Sequence, residues 1–110
     1  MSSFELSGAE EWAGRPVARR IVDAVPRSRL VATGTISSAG AVDDDGGVVY
    51  VCRLEDGPAA IELLFAGRDE VPGLVPGARL AVEGVAADHH GRLGLWNPWY
   101  RIETPAPGHG

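Results

Sequence analysis

The chain has 110 residues, 45% hydrophobic and 23% charged, with a formal charge of −5, which supports one modest core and argues against two independent domains. No uninterrupted apolar run approaches the roughly 20 residues that a membrane-spanning helix needs, and the acidic balance argues against strong duplex-DNA binding, where basic side chains must displace counterions. The single cysteine, Cys52, excludes an intramolecular disulfide and a cysteine-rich zinc site. Glu5, Glu10 and Glu11 stand where a signal peptide would be basic and then apolar, so a cytoplasmic location is expected.

Residues 1–28 form an extension with four arginines against four acids. Ser7 and Glu10 have the spacing of a capping box, predicting a helical turn through Trp12. Between Pro16 and Pro26, Val17, Ile21, Ala24 and Val25 share one side of a helical projection and Arg19, Arg20 and Asp23 the other, predicting a short amphipathic helix.

From Arg29 the texture changes to β-branched runs separated by glycine, proline and aspartate. The first strand is predicted over about Leu30 to Ser37 with a bulge at Gly34, followed by a polar loop from Ala39 to Gly47 that holds Asp43, Asp44 and Asp45. The second runs from Val48 to Leu54, alternating Val48, Tyr50, Cys52 and Leu54 on an apolar face against Val49, Val51 and Arg53. In the third, Ala60 to Phe65, Ile61, Leu63 and Phe65 face the core while Glu62 and Leu64 face out. Its successor RDEVPGLVPG holds too much proline and glycine for a long helix and reads as a compact loop. The fourth strand spans Arg79 to Ala86, with Gly84 at a second bend. The last runs from Arg92 to Asn97, is interrupted by Pro98 and resumes from Trp99 to Ile102. Residues 104–110 read as a flexible tail after a barrel over 29–103.

Five short strands without crossover helices predict an all-β, five-stranded Greek-key barrel of the OB type behind a short helical extension. Gly34, Leu54-Glu55-Asp56-Gly57, Ile61 to Phe65, Pro76-Gly77, Leu80 to Gly84, and Gly91-Arg92-Leu93 leading to Asn97-Pro98 and Tyr100 add to this. In that order they resemble the OB-fold nucleic-acid-binding domain family, in the version found as small bacterial stand-alone proteins and as the wedge domain of a branch-migration helicase. The resemblance covers about Arg29 to Ile102. It implies binding of single-stranded or branched nucleic acid across the outer face of the second and third strands and the loops flanking it. Asp43, Asp44 and Asp45 sit where that binding would bring phosphates, so weak binding is expected.

Sequence-tolerant binding needs aromatic faces and cations. The candidates are Arg53 and Leu64 on the second and third strands, and Arg92, Trp96, Trp99 and Arg101 around the last. For the tryptophans the competing role is packing, and for Arg53 an ion pair with Glu62 on the neighbouring strand. Arg68 and Arg79 have carboxylates nearby in sequence. His89 and His90 are adjacent, so on a strand they would face opposite ways, and no metal site is expected from them. Cys52 on the apolar face is inert packing, and no nucleophile elbow or phosphate-cradling glycine loop with lysine occurs. A non-enzymatic module without cofactor is expected, contacting single strands. The alternative is a protein-interaction module on the same barrel, with its acidic surface facing a partner or the helix docking a second copy. Convergence of the arginines on the groove would favour nucleic acid; carboxylates matched to each would favour a partner.

Overall fold

The computed structural model describes residues 11–12 and 15–108; the Ser7 and Glu10 capping box lies outside them. A two-residue ladder, β1 (Glu11–Trp12) against β2 (Arg15–Pro16), precedes a 3-10 turn at Ile21–Asp23. Six further strands follow: β3 (Arg29–Asp44), β4 (Gly47–Glu55), β5 (Ala60–Ala66), β6 (Arg79–His89), β7 (Arg92–Trp96) and β8 (Trp99–Thr104). Their order β3-β4-β5-β7-β6, with β6 returning to β3, closes a five-stranded barrel in which only β5 and β7 run parallel. No helix among the described residues is long and apolar enough to cross a membrane.

The amphipathic helix expected between Pro16 and Pro26 is not formed. Ala18 instead accepts from Val31 N–H and donates its own N–H to the Arg29 carbonyl, both at 2.9 Å, as a bridge beside β3. The Asp56 carboxylate takes the Ile21 N–H at 2.8 Å. The nine residues between Pro16 and Pro26 are too few to hold a helix without tertiary support, and here that support rewards extended backbone. Val17, Ala18 and Ile21 are buried, whereas Val22 and Val25 face solvent.

The first long strand also outruns its prediction. β3 continues through the expected Ala39–Gly47 loop to Asp44, pairs with β4 down to Asp44 opposite Gly47, and turns on Asp45 and Gly46 at φ 52° and 82°. Two consecutive positive-φ residues match the twist of a two-residue hairpin. Ser, Ala, Gly and Asp are weak strand formers, and pairing with the β-branched run of β4 overrides their propensity. The register shift falls at Ser37, between Ile36 and Ser38, rather than at Gly34. It bends β3 so that residues 29–35 pair with β6 and residues 35–44 with β4. Gly34 serves a close approach instead: a Cβ there would lie 2.5 Å from the Glu55 carbonyl oxygen.

The alternation read for β4 and β5 holds from Tyr50 to Leu54 and at Ile61, Leu63 and Phe65, but at the start of β4 Val48 is exposed and Val49 buried, and Leu64 on the outward side of β5 is buried as well. Tyr50, Cys52 and Leu54 meet Ile61, Leu63 and Phe65 inside, with Leu30, Ile36, Leu80, Val82 and Leu95. The connector after β5 is the expected compact loop, and its buried Val71 and Leu74 plug the barrel, with Tyr50 Oη donating to the Leu74 carbonyl at 2.7 Å. After Thr104, Ala106 is buried beside Gly77. Burial pushes the Cys52 thiol up to about 12. In the native chain Cys52 is expected to resist an aromatic disulfide reagent for hours at neutral pH, and to react at once in denaturant; rapid native labelling would show the barrel opening there.

Candidate nucleic-acid interface

Alternation places Val51, Arg53 and Glu55 of β4, Glu62 and Leu64 of β5, and Arg92, Gly94 and Trp96 of β7 on one outer face. Leu64 is fully buried there, in register between Val51 and Trp96. It leans over Gly94, where a Cβ would lie 2.8 Å from Leu64 Cδ1. Leu64 is therefore the floor of this face and not a contact residue. Trp96 stays 38% exposed, and its ring meets the His89 imidazole edge to face at 5.2 Å.

Arg53 and Arg92 line one groove of about 280 Å³ together with Ala60, Ile61, Glu62 and Leu93. Arg92 Nη1 lies 3.4 Å from Glu62 Oε2. Arg53 stands opposite Glu62 in register, yet its Nε pairs with Glu55 Oε2 at 3.2 Å, because Arg92 and His89 occupy Glu62. Ser37 and Arg53 together hold the Glu55 carboxyl below its ordinary value. On the other side of Glu55 a polar groove of about 450 Å³ gathers Arg19, Arg20 and Arg79 with Thr33, Thr35, Asp56 and Gly57. The two grooves meet at the Arg53–Glu55 pair. Sequence reading missed the second groove because Arg79 lies sixty residues from Arg19 and reaches it only through the β3–β6 register.

The aromatic cluster expected at the end of the barrel is divided. Asn97, at φ 48°, donates its N–H to the Leu64 carbonyl at 2.6 Å and accepts the Ala66 N–H on Oδ1 at 3.0 Å, ending β7 on β5. Pro98 is buried, and β8 then pairs with β6 alone. Trp99 comes to lie opposite Glu83 with the Arg101 guanidinium 5.9 Å from its ring. Tyr100 turns inward against Phe65, ring centroids 5.8 Å apart. Arg101 pairs with Glu103 at 3.5 Å, and Arg79 shares that carboxylate at the same distance. Arg68 is exposed in the turn after β5.

At one rim of the groove the tip of the β3–β4 hairpin meets the tip of the β6–β7 hairpin. Asp44 Oδ2 lies 3.0 Å from His89 Nε2 and its Oδ1 2.9 Å from His90 Nε2, while His89 Nδ1 lies 3.2 Å from Glu62 Oε1. The expectation that the two histidines face opposite ways fails because His90 leaves the strand at φ 52°, which breaks the alternation. The hydrogen bond to Asp44 raises the His89 pKa, with Glu62 adding to it against burial. Hydrogen bonds to His90 and then His89 lower that of Asp44.

No protein-family model matches the chain, and no curated protein matches it. Among solved structures it is similar to the solution NMR structure of the OB domain of a Thermoplasma acidophilum protein, with a TM-score of 0.56 and 22% identity over 80% of this chain and 86% of that one. The likeness is one of fold, and with the closed β3-β4-β5-β7-β6 order it makes this chain an all-β barrel of the OB type.

Proposed function

We propose that this chain is a cytoplasmic, non-enzymatic OB-type module that takes single-stranded or branched nucleic acid across the outer face of β4, β5 and β7, weakly and without strong sequence preference. The observation that carries the reading is the convergence of Arg53 and Arg92 on one groove of the face that also carries the exposed Trp96. A base stacked on a tryptophan is worth about 1–3 kcal/mol, and guanidinium groups track the backbone at little cost in sequence selectivity. Their carboxylate partners do not forbid this. The Arg53 and Arg92 side chains are 53% and 73% exposed, with their carboxylates at 3.2 and 3.4 Å, and ion pairs open to solvent contribute roughly 0–1 kcal/mol, so a phosphate can replace either carboxylate. The charge of −5 keeps affinity low and salt-sensitive. The buried, weakly acidic Cys52 supports the non-enzymatic reading. The ending Gly91-Arg92-Leu93 to Asn97-Pro98, similar to a helicase wedge, motivates including branched DNA.

Anisotropy titrations with labelled single-stranded, forked and duplex oligonucleotides at low and physiological salt test this. Saturable binding to single-stranded or forked DNA is expected at low salt. Trp96→Ala should weaken it by about 5- to 150-fold, the range for one stacked base. The pair Arg53→Glu with Arg92→Glu should lower the salt slope by about 1.4, the value for two phosphate contacts on a single strand. Trp99→Ala should change affinity less, since its ring lies on the β6–β8 side. Absence of binding by every oligonucleotide at low salt would overturn the proposal.

A second reading, a module for a basic protein partner, is favoured by the carboxylates matched to Arg53, Arg92 and Arg101. The partner surface would then be the barrel, since the segment between Pro16 and Pro26 forms no amphipathic helix. Binding of a labelled oligolysine peptide with no binding of oligonucleotides would select it.

A further inference from the structure

Two hairpin tips that are 45 residues apart in sequence present three ligand atoms to one another. Asp44, His89 and His90 each offer one such atom, all within 4.8 Å of the others. We propose that these side chains bind a divalent transition-metal ion of the zinc class through His89 Nε2, His90 Nε2 and the Asp44 carboxylate, with Glu62 orienting His89 from behind.

The spacing suits an ion at the centre. Zinc bonds of about 2.0–2.2 Å in tetrahedral array set ligand atoms about 3.3 Å apart. The carboxylate lies 3.0 Å from one imidazole nitrogen and, through its other oxygen, 2.9 Å from the second, and one ligand atom from each of the three residues lies within 4.8 Å of the others, so the three already stand close to the spacing a cation needs. Glu62 Oε1, 3.2 Å from His89 Nδ1, is placed to accept the proton of that nitrogen. The tautomer that results leaves Nε2 free to coordinate, as in carboxylate–histidine–metal arrangements. Burial is graded in the same sense. The side chains of Asp44, His89 and Glu62 are 14–17% exposed while that of His90 is 65% exposed, giving a sheltered pair of ligands with an entry path on the third side. The Trp96 ring covers the inner imidazole.

The backbone is arranged for this meeting. His90 takes a left-handed conformation in the turn before Gly91, which costs a side-chain-bearing residue energy that glycine avoids. That conformation brings the second imidazole to the same carboxylate as the first. The Asp45–Gly46 turn delivers Asp44 from the other side. Two imidazoles and one carboxylate select zinc, cobalt, nickel or copper over magnesium and calcium, which need oxygen-rich cages. A bound ion would join the two hairpins at the rim of the groove. This site stands whether or not nucleic acid binds the face beside it.

The test uses the full chain, stripped with chelator and titrated calorimetrically with zinc chloride, then with magnesium and calcium chloride. One equivalent of zinc is expected to bind, to raise the thermal midpoint, and to be matched by neither magnesium nor calcium. His90→Asn tolerates the left-handed turn and alters an exposed residue, so the fold should persist by circular dichroism while zinc affinity falls by roughly tenfold or more. Asp44→Ala should do the same, and Glu62→Gln should lower affinity about 10- to 100-fold. Substitution of His109, outside the described residues, should leave binding unchanged. The proposal is overturned if zinc fails to bind, if His90→Asn and Asp44→Ala bind it as tightly as the parent, or if His109→Ala is the change that abolishes binding.

Discussion

Gly34→Val is expected to destabilise the chain by about 3 kcal/mol, the upper end of the range for overpacking a well-filled site. Gly34 pairs with Leu80 of β6, and the next residue, Thr35, pairs with both Arg79 of β6 and Glu55 of β4. Three strands therefore converge within one residue, and the Glu55 carbonyl passes so close that a Cβ would sit 2.5 Å from its oxygen and 3.0 Å from its carbon. The obstacle is backbone held in a ladder, which cannot rotate aside as a side-chain tip would. Relief requires β4 to move off β3 where the barrel closes. Gly40, on the same strand beyond the bulge, has nothing within 4 Å of the added atom, and Gly40→Val is expected to stay within roughly 0.5 kcal/mol of the parent. Urea denaturation followed by tryptophan fluorescence compares the two. Equal midpoints for both variants would show that the β3–β4 junction yields, and that the close approach is not what requires glycine at position 34.

Arg29→Leu is expected to cost about 2–3 kcal/mol, somewhat below the 3–5 kcal/mol for breaking a fully buried ion pair, because the arginine retains some solvent contact. Glu83 is 5% exposed on the outward side of β6. Arg29 Nε donates to Glu83 Oε2 at 2.8 Å, and Nη2 contacts the same oxygen. Removing the guanidinium takes from this sheltered carboxylate the cation that reaches it through Nε and Nη2. Arg29→Leu with Glu83→Leu should recover much of the loss, since a buried ion pair and an apolar pair of similar volume are often nearly equivalent. A double-mutant cycle by thermal and urea denaturation reads the coupling. A cycle with no coupling would mean that the carboxylate is already compensated by its other surroundings.

How much of this was legible is seen best by comparing elements. The period-two alternation of Tyr50, Cys52 and Leu54 and of Ile61, Leu63 and Phe65 assigned the inner face correctly because each side chain's direction follows from its neighbours along the strand. Pro98 marked the break in the final strand for an equally local reason, the missing N–H. The segment from Val17 to Val25 misled, because the spacing of its apolar residues also fits a helix, and nothing nearby in sequence announces that the Asp56 carboxylate and the β3 backbone claim its N–H groups. Gly34 was singled out for good cause but for the wrong service, since the carbonyl it makes room for lies twenty-one residues away.

The candidate interface divides in the same way. That Arg53 and Glu62 face outward was readable from alternation; that Arg53 pairs with Glu55 while Glu62 is shared by Arg92 and His89 was not. Trp96 and Trp99 look like one cluster in sequence, and the positive-φ Asn97 separates their roles. Asp44 read as one of three aspartates in a polar loop and stands between two imidazoles.

The all-β class and the inward side of most strand residues were readable from the sequence, because these depend on chain-local geometry and on the burial of apolar surface, whereas the buried Leu64 and Ala106 were read as outward-facing and as tail. Only the tertiary structure decided where β3 ends, what the N-terminal segment does and which outward-facing residues meet. Register and barrel closure choose among distant partners such as Asp44 with His89 or Arg29 with Glu83, and they do so through contacts that no local pattern in the chain encodes.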